Sequence, residues 1–227
     1  MDFSFTPEHK QITNSVSKIC DQFDDNYWLA HDKSGDFPHE FCSALAKNGW
    51  LGIAMPEAQG GSGLGITEAA LMMQTIAESG AAMSGCSAVH MNIFGPNVIV
   101  VFGNEEQKQR MLPPLITGKT RACFGVTEPD AGLDTTHLKT KAIPKNDHYL
   151  ISGHKVWTST AQVADKILLI ARTRPIEQCE KPSDGLSLFY TDLDRSAIEV
   201  REIEKMGRKA VDSNELFIYE LRVPFED

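Results

Sequence analysis

Two short stretches carry the residue types from which a site for a flat, polar ligand could be built. The first is Phe124-Gly125-Val126-Thr127-Glu128-Pro129-Asp130-Ala131-Gly132-Leu133-Asp134. An apolar, strand-like approach meets Thr127 and Glu128, and Pro129 then removes a backbone donor and stops sheet pairing. Pro129 and Gly132 bracket a turn of acidic and small residues, which leaves a hydroxyl and several backbone N–H groups at a strand end with little bulk before them. The second stretch is Tyr149-Leu150-Ile151-Ser152-Gly153-His154-Lys155-Val156-Trp157-Thr158-Ser159-Thr160. It reads as a hairpin that turns near Ser152-Gly153, followed by a new strand. Strand side chains alternate between faces, so Trp157 and Ser159 project the same way, an indole platform beside a hydroxyl. A planar heteroaromatic cofactor would take stacking from the one and a hydrogen bond from the other. Read separately, the first stretch fits an ordinary strand–turn crossover, and a strand tryptophan is more often core.

Taken together the two stretches resemble the middle domain of the acyl-CoA dehydrogenase family, which carries Thr-Glu-Pro-x-Ala-Gly-Ser-Asp and then Gly-x-Lys-x-Trp-Ile-Thr. Here these stand as Thr127-Glu128-Pro129-Asp130-Ala131-Gly132-Leu133-Asp134 and Gly153-His154-Lys155-Val156-Trp157-Thr158-Ser159. The likeness continues through Ala164-Asp165, Ala171-Arg172-Thr173, Lys205-Met206-Gly207-Arg208 and Arg222-Val223-Pro224. It also covers the N-terminal half through Pro56-Glu57 and Gly60-Gly61, so it spans essentially the whole chain.

The resemblance implies a helical N-terminal domain, a β middle domain and a helical C-terminal domain, with FAD as cofactor and an acyl-CoA thioester as substrate. In that family a carboxylate removes the α proton while the β hydrogen leaves as hydride to the flavin. By position, Phe124, Val126 and Thr127 match the first flavin-contacting segment, with Thr127 offering a donor hydroxyl. Trp157, Thr158 and Ser159 match the second, with Ser159 in place of the family's threonine. Leu133 stands where the family often has a serine touching the pantetheine or phosphate portion of the substrate, so as a substrate residue it could act only through its backbone. Glu128 and Asp134 are expected to stabilise the turn. No acid matches the motif of the catalytic glutamate, which the family carries in its C-terminal helices, so no catalytic residue is assigned. The resemblance further implies an electron-transfer flavoprotein as electron acceptor and a homo-oligomer. The chain is therefore read as the N-terminal and middle portion of an FAD-dependent acyl-CoA dehydrogenase, inactive alone. The alternatives are an acyl-CoA oxidase or flavin monooxygenase of the same fold, or a non-catalytic subunit whose partner supplies the base.

A chain of 227 residues can bury a real core, and 41% hydrophobic with 23% charged residues is an ordinary globular balance. The formal net charge of −9 argues against a general nucleic-acid or anionic-membrane binder. Five scattered cysteines without a CxxC pair predict neither a metal site nor a disulfide framework, and no apolar run is read as a membrane span. The N-terminus shows no signal or transit pattern, which predicts a cytoplasmic protein.

The elements that must position the two stretches divide sharply. Thr6-Pro7-Glu8 reads as a helix start, followed by Ile12, Val16, Ile19 and Phe23 on one face. Further helices are predicted over 38–48, from an N-cap at Thr67, within the small-residue stretch 81–102, and from an Asn104/Gln107 capping box to Ile116, with Pro113-Pro114 kinking or breaking the last. The glycines of 60–65 lack the Lys-Ser/Thr pair of a phosphate loop and read as a sharp surface loop. From 121 onward the runs are short and β-rich: 121–126, 138–143, 149–151, 155–159, 166–172, 186–191, 198–203 and 215–223. The expected fold is an α+β multidomain chain: an all-α domain over 1–119 and an antiparallel β-barrel or sandwich over 120–227.

Overall fold

The computed structural model describes residues 4–227 and forms two compact units. One comprises the described residues up to Thr120 together with Lys205–Val211; the other comprises Arg121–Glu204 and Asp212–Asp227.

The first unit is helical. In α1 (Pro7–Cys20), Thr6 Oγ1 accepts from His9 N, and Ile12, Val16 and Ile19 form the buried face. Helix α2 (Asp25–Ser34) lies where the sequence reading placed none; it is capped by Asp24 and stopped by Gly35 at φ +80°. Helix α3 (His39–Lys47) buries Phe41, Cys42 and Leu45. Helix α4 (Ile66–Glu78) starts earlier than the Thr67 cap predicted. Its N-cap is Gly65, whose N–H is taken by the Glu68 carboxylate at 2.8 Å, and Thr67 lies in the first turn. Helices α5 (Ala82–Ile93) and α6 (Asn97–Phe102) follow, then α7 (Glu105–Ile116) with the reciprocal Asn104/Gln107 box. Pro113 and Pro114 do not break α7. They fall in its last turn, where Met111, Leu112, Leu115 and Ile116 are buried and hold the helical path despite the missing donors.

The stretch Ala82–Phe102 reaches the length and apolarity of a membrane span, which the sequence reading did not credit, yet half of it is buried inside the protein. In the glycine loop, the amides of Gly61, Ser62, Gly63 and Leu64 donate to the carbonyls of Pro56, Gly52, Met55 and Ile53. Those N–H groups are consumed by the chain and cannot cradle a phosphate.

The second unit is a seven-stranded sheet: β1 (Ala122–Gly125), β2 (Lys141–Pro144), β3 (His148–Ser159), β4 (Lys166–Arg172), β5 (Leu186–Asp192), β6 (Ile198–Glu202) and β7 (Ser213–Pro224). Helices followed by strands are as expected, but the sheet is mixed. Strand β1 runs parallel to β4, which also pairs with β5 and, at Arg172, with Lys141 of β2. One edge of β4 thus passes from β1 to β2 along its length, and the sheet curls round a core that includes Ile151, Ile167, Leu169, Phe189, Leu216 and Ile218.

The hairpin expected at Ser152-Gly153 is absent. Strand β3 is continuous over twelve residues. Gly153 serves close approach instead of a turn: a Cβ there would lie 2.2 Å from Thr140 Oγ1 and 2.7 Å from Thr140 Cα.

Candidate functional site

The two chemistry-bearing stretches meet in the sheet unit. Beyond β1 the chain makes a turn closed by Glu128 N to Ala131 O (3.0 Å) and Ala131 N to Glu128 O (3.1 Å), with Pro129 as its first corner. Across from it, the pairing of β3 with β7 shifts register between Lys155 and Thr158. This is a β-bulge centred on Val156 and Trp157. Val156 N leaves the ladder and donates to Thr127 O at 2.9 Å, which ties the first stretch to the second.

Trp157 at the bulge has φ +63°, a left-handed conformation that costs a bulky residue of order 1–3 kcal/mol. The residue is 63% exposed, so the strain does not serve to bury the indole in this unit. Past the bulge, alternation places Thr158 and Thr160 inside and leaves Ser159 half-buried on the side of Trp157. On β1, Gly125 packs against the Lys155 stem, so Phe124 and Val126 occupy the opposite face, both half-buried. Thr127 is half-buried as well. Among the described residues the Thr127 hydroxyl, the Ser159 hydroxyl and the Trp157 indole N–H have no protein partner, whereas Leu133 stands fully exposed at the turn tip.

Beneath this surface lies a buried ion pair that sequence reasoning did not identify. Lys155 is 0% exposed, and its Nζ donates to Glu128 Oε1 (2.9 Å) and to Val126 O (3.0 Å). Glu128 also accepts from Lys139 N (2.7 Å) and Thr140 N (2.9 Å). Burial pushes the Glu128 carboxyl up, but its Thr140, Lys139 and Lys155 partners overcome this and hold it below the usual carboxylate range. Burial pushes Lys155 below the usual lysine range, an effect opposed by Glu128. A carboxylate so saturated with donors is a poor proton acceptor, and Glu128 is a structural anion. Asp134 is likewise engaged, accepting from Thr136 N (3.1 Å) and Thr136 Oγ1 as it caps a short turn at Thr135–His137.

Further supports escaped the sequence reading because their partners are far apart in the chain. Arg172 gathers the carbonyls of Thr136 (2.6 Å), Leu138 (3.3 Å) and Pro182 (3.1 Å), and so fixes the loop that bears Leu133. Arg195 donates to the carbonyls of Ala161, Gln162 and Ala164 just beyond Thr160. Asn214 Nδ2 donates to Thr158 O (2.9 Å), so Thr158 takes part through its backbone while its buried hydroxyl has no partner. The arrangement amounts to an exposed aromatic platform with unpaired donors beside it, held on a rigid, ion-paired base.

Comparison with known proteins gives a consistent picture. The family model described as acyl-CoA dehydrogenase, N-terminal domain, matches residues 6–119, and that described as acyl-CoA dehydrogenase, middle domain, matches residues 123–220. An acyl-CoA dehydrogenase of Bacillus subtilis (strain 168) is 32% identical over 85% of this chain and 50% of its own length. The caffeyl-CoA reductase-Etf complex subunit CarC of Acetobacterium woodii is 32% identical over 86% of this chain and 51% of its own. The solved glutaryl-coenzyme A dehydrogenase–glutaryl-CoA complex superposes with a TM-score of 0.90 and 29% identity, covering 100% of this chain and 57% of that one. The chain spans about half the length of the curated relatives it matches.

Proposed function

The chain belongs to the acyl-CoA dehydrogenase family, and on that premise we propose that its sheet unit is the flavin-holding part of an enzyme that introduces a double bond between the α and β carbons of an acyl-CoA thioester. The observation that carries this reading is the exposed, left-handed Trp157, tied through the Val156–Thr127 bond to a second segment with an unpaired hydroxyl. Strain of this kind persists where the surroundings over-determine it and a ligand uses it.

The residues present fit FAD. Trp157 offers a ring-sized platform, Phe124 and Val126 an apolar margin, and Thr127 and Ser159 hydroxyl donors without protein partners. When bound, the flavin supplies the acceptor for the substrate's β hydride. This chain's own part is to bind and orient. Thr127 donates where reduction accumulates negative charge, Ser159 provides the polar neighbour of the reacting edge, and Trp157 shields the site from water. Thr158 contributes through the carbonyl held by Asn214. Leu133, on the loop gathered by Arg172, would meet the CoA portion through backbone groups.

Neither Glu128 nor Asp134 is free to take the α proton. We assign the base to the portion of the relatives' length that this chain does not span, and with it full FAD affinity, since half an enclosure loses contacts while the cost of immobilising the ligand remains. An electron-transfer flavoprotein is the acceptor we favour, in keeping with the Etf complex to which one relative belongs. Assembly into a homo-oligomer is part of the same proposal. Titration of the chain with FAD, followed by flavin fluorescence, tests the reading. Weak but saturable binding, weakened further in Trp157→Phe, is expected; linear, unsaturable signal to millimolar FAD would overturn it.

A further inference from the structure

We infer that Lys155 and Glu128 are positioning residues for the aromatic platform: their buried ion pair holds the bulge that turns Trp157 outward. The inference rests on the flavin reading above for its purpose, but not for its geometry.

Four observations lead to it. First, the bulge begins at Lys155, the last β3 residue in register with β7 before the shift. Second, Lys155 and Thr158 pair with Leu216 and Asn214 of β7, so the buried Val156 and the exposed Trp157 together stand opposite the single residue Glu215, and the outward turn of Trp157 arises directly beyond Lys155. Third, the Lys155 ammonium reaches past its own strand to Val126 O and Glu128 Oε1, the residues on either side of Thr127, while Val156 N bonds Thr127 O itself. Three consecutive residues of one segment are thereby fixed by two consecutive residues of the other. Fourth, the anchor is itself fixed: Glu128 also accepts from Lys139 N (2.7 Å) and Thr140 N (2.9 Å), so the ammonium is held against an immobile carboxylate.

A buried ion pair is a poor device for stability alone, because well-packed apolar residues of similar volume usually do as well or better. What it adds here is direction. An apolar side chain at 155 would pack equally well with β3 in regular register, and that register would present a different residue in place of Trp157. Among the described residues the ammonium finds its partners at the Val126 and Glu128 oxygens, which specifies the bulged register.

The test compares wild type with Lys155→Met/Glu128→Gln, in which no uncompensated charge is left and the amide still accepts at the Thr140 end. Trp157 emission is isolated by subtracting the spectrum of each protein's Trp157→Phe counterpart. The expected result is a cooperatively folded double variant whose Trp157 emission shifts to the blue and whose acrylamide quenching falls several-fold, with Lys155→Arg intermediate. Unchanged emission and quenching in a folded double variant would overturn the inference. Should that variant not fold, Glu128→Gln alone is read the same way, a smaller blue shift supporting the inference and none refuting it. FAD binding is measured in parallel. A blue shift with no FAD binding in wild type would remove the flavin reading and leave the positioning role standing; FAD binding retained with no shift would do the reverse.

Discussion

Gly153→Ala should be among the most damaging single-methyl changes in the sheet unit. A Cβ at 153 would lie 2.2 Å from Thr140 Oγ1, 2.6 Å from its Cβ and 2.7 Å from its Cα. Rotating Thr140 relieves only the first of these, so β3 must move away from the start of β2. That region carries the Thr140 N–Glu128 bond, and moving it loosens the ion pair as well. Overpacking typically costs about 1–3 kcal/mol, and the backbone contact puts this case at about 3 or above. For a unit of about 100 residues, each kcal/mol shifts the midpoint by roughly 4–8 °C, so the sheet transition should fall by ~12 °C or more. Gly132→Ala is the control. Nothing lies within 4 Å of its Cβ position, and its effect should stay within about 0.5 kcal/mol. Scanning calorimetry of both variants decides the matter. A Gly153→Ala melt within a degree or two of wild type would show that Gly153 occupies an open turn, as its sequence context first suggests, and would refute the close-approach argument.

Other expectations follow from the ion pair and the hydroxyls. Lys155→Met alone strands the Glu128 charge and should cost about 3 kcal/mol, the low end for a broken buried pair because two backbone donors remain; chemical denaturation measures it. The folded Glu128 pKa lies below its ordinary 4.5, so its contribution is present above that value and lost as pH falls through the depressed one. Melting curves from pH 7 to 3 should therefore drop less steeply for Glu128→Gln than for wild type, and equal slopes would contradict the assignment. Lys155 shifts stability in the same direction at higher pH: burial depresses its folded pKa, so the unfolded chain holds that proton more tightly and stability gains as pH rises toward the ordinary lysine value. Ser159→Ala should weaken FAD binding by about 1 kcal/mol while leaving the melting point without FAD nearly unchanged, which paired titrations and melts would show.

Local chemistry was legible in the sequence, and long-range pairing was not. Thr6-Pro7 and the Asn104/Gln107 box were readable because capping involves residues three apart. Strand β4 was legible at Lys166–Arg172 because a seven-residue, mostly apolar run is short for a helix, and length decides where periodicity does not. Helix α2 was missed because only Trp28 is buried on it, so no apolar period announces it; the Asp24 cap and Gly35 stop were its only signals. The parallel β1–β4 pairing depends on register between strands some forty residues apart, about which local patterning says nothing. Ser152-Gly153 has turn composition, but whether a glycine turns the chain or admits a neighbour is decided by Thr140, thirteen positions away. The motif tryptophan and serine could be named from resemblance, while the Lys155–Glu128 pair and the bulge it borders emerge only when the two stretches are brought together.

Thermal unfolding against added FAD tests most directly whether the exposed face of Trp157 receives a flavin. At 63% exposed, Trp157 contributes little to the sheet core, so Trp157→Ala should melt within about 0.5 kcal/mol of wild type when FAD is absent. Ligand stabilisation follows RT ln(1 + [L]/Kd), so at ten times its dissociation constant FAD should add about 1.4 kcal/mol to wild type. Most of this gain should disappear in Trp157→Ala at the same FAD concentration. If wild type and variant gain the same stabilisation from FAD, the Trp157 face is not the flavin site.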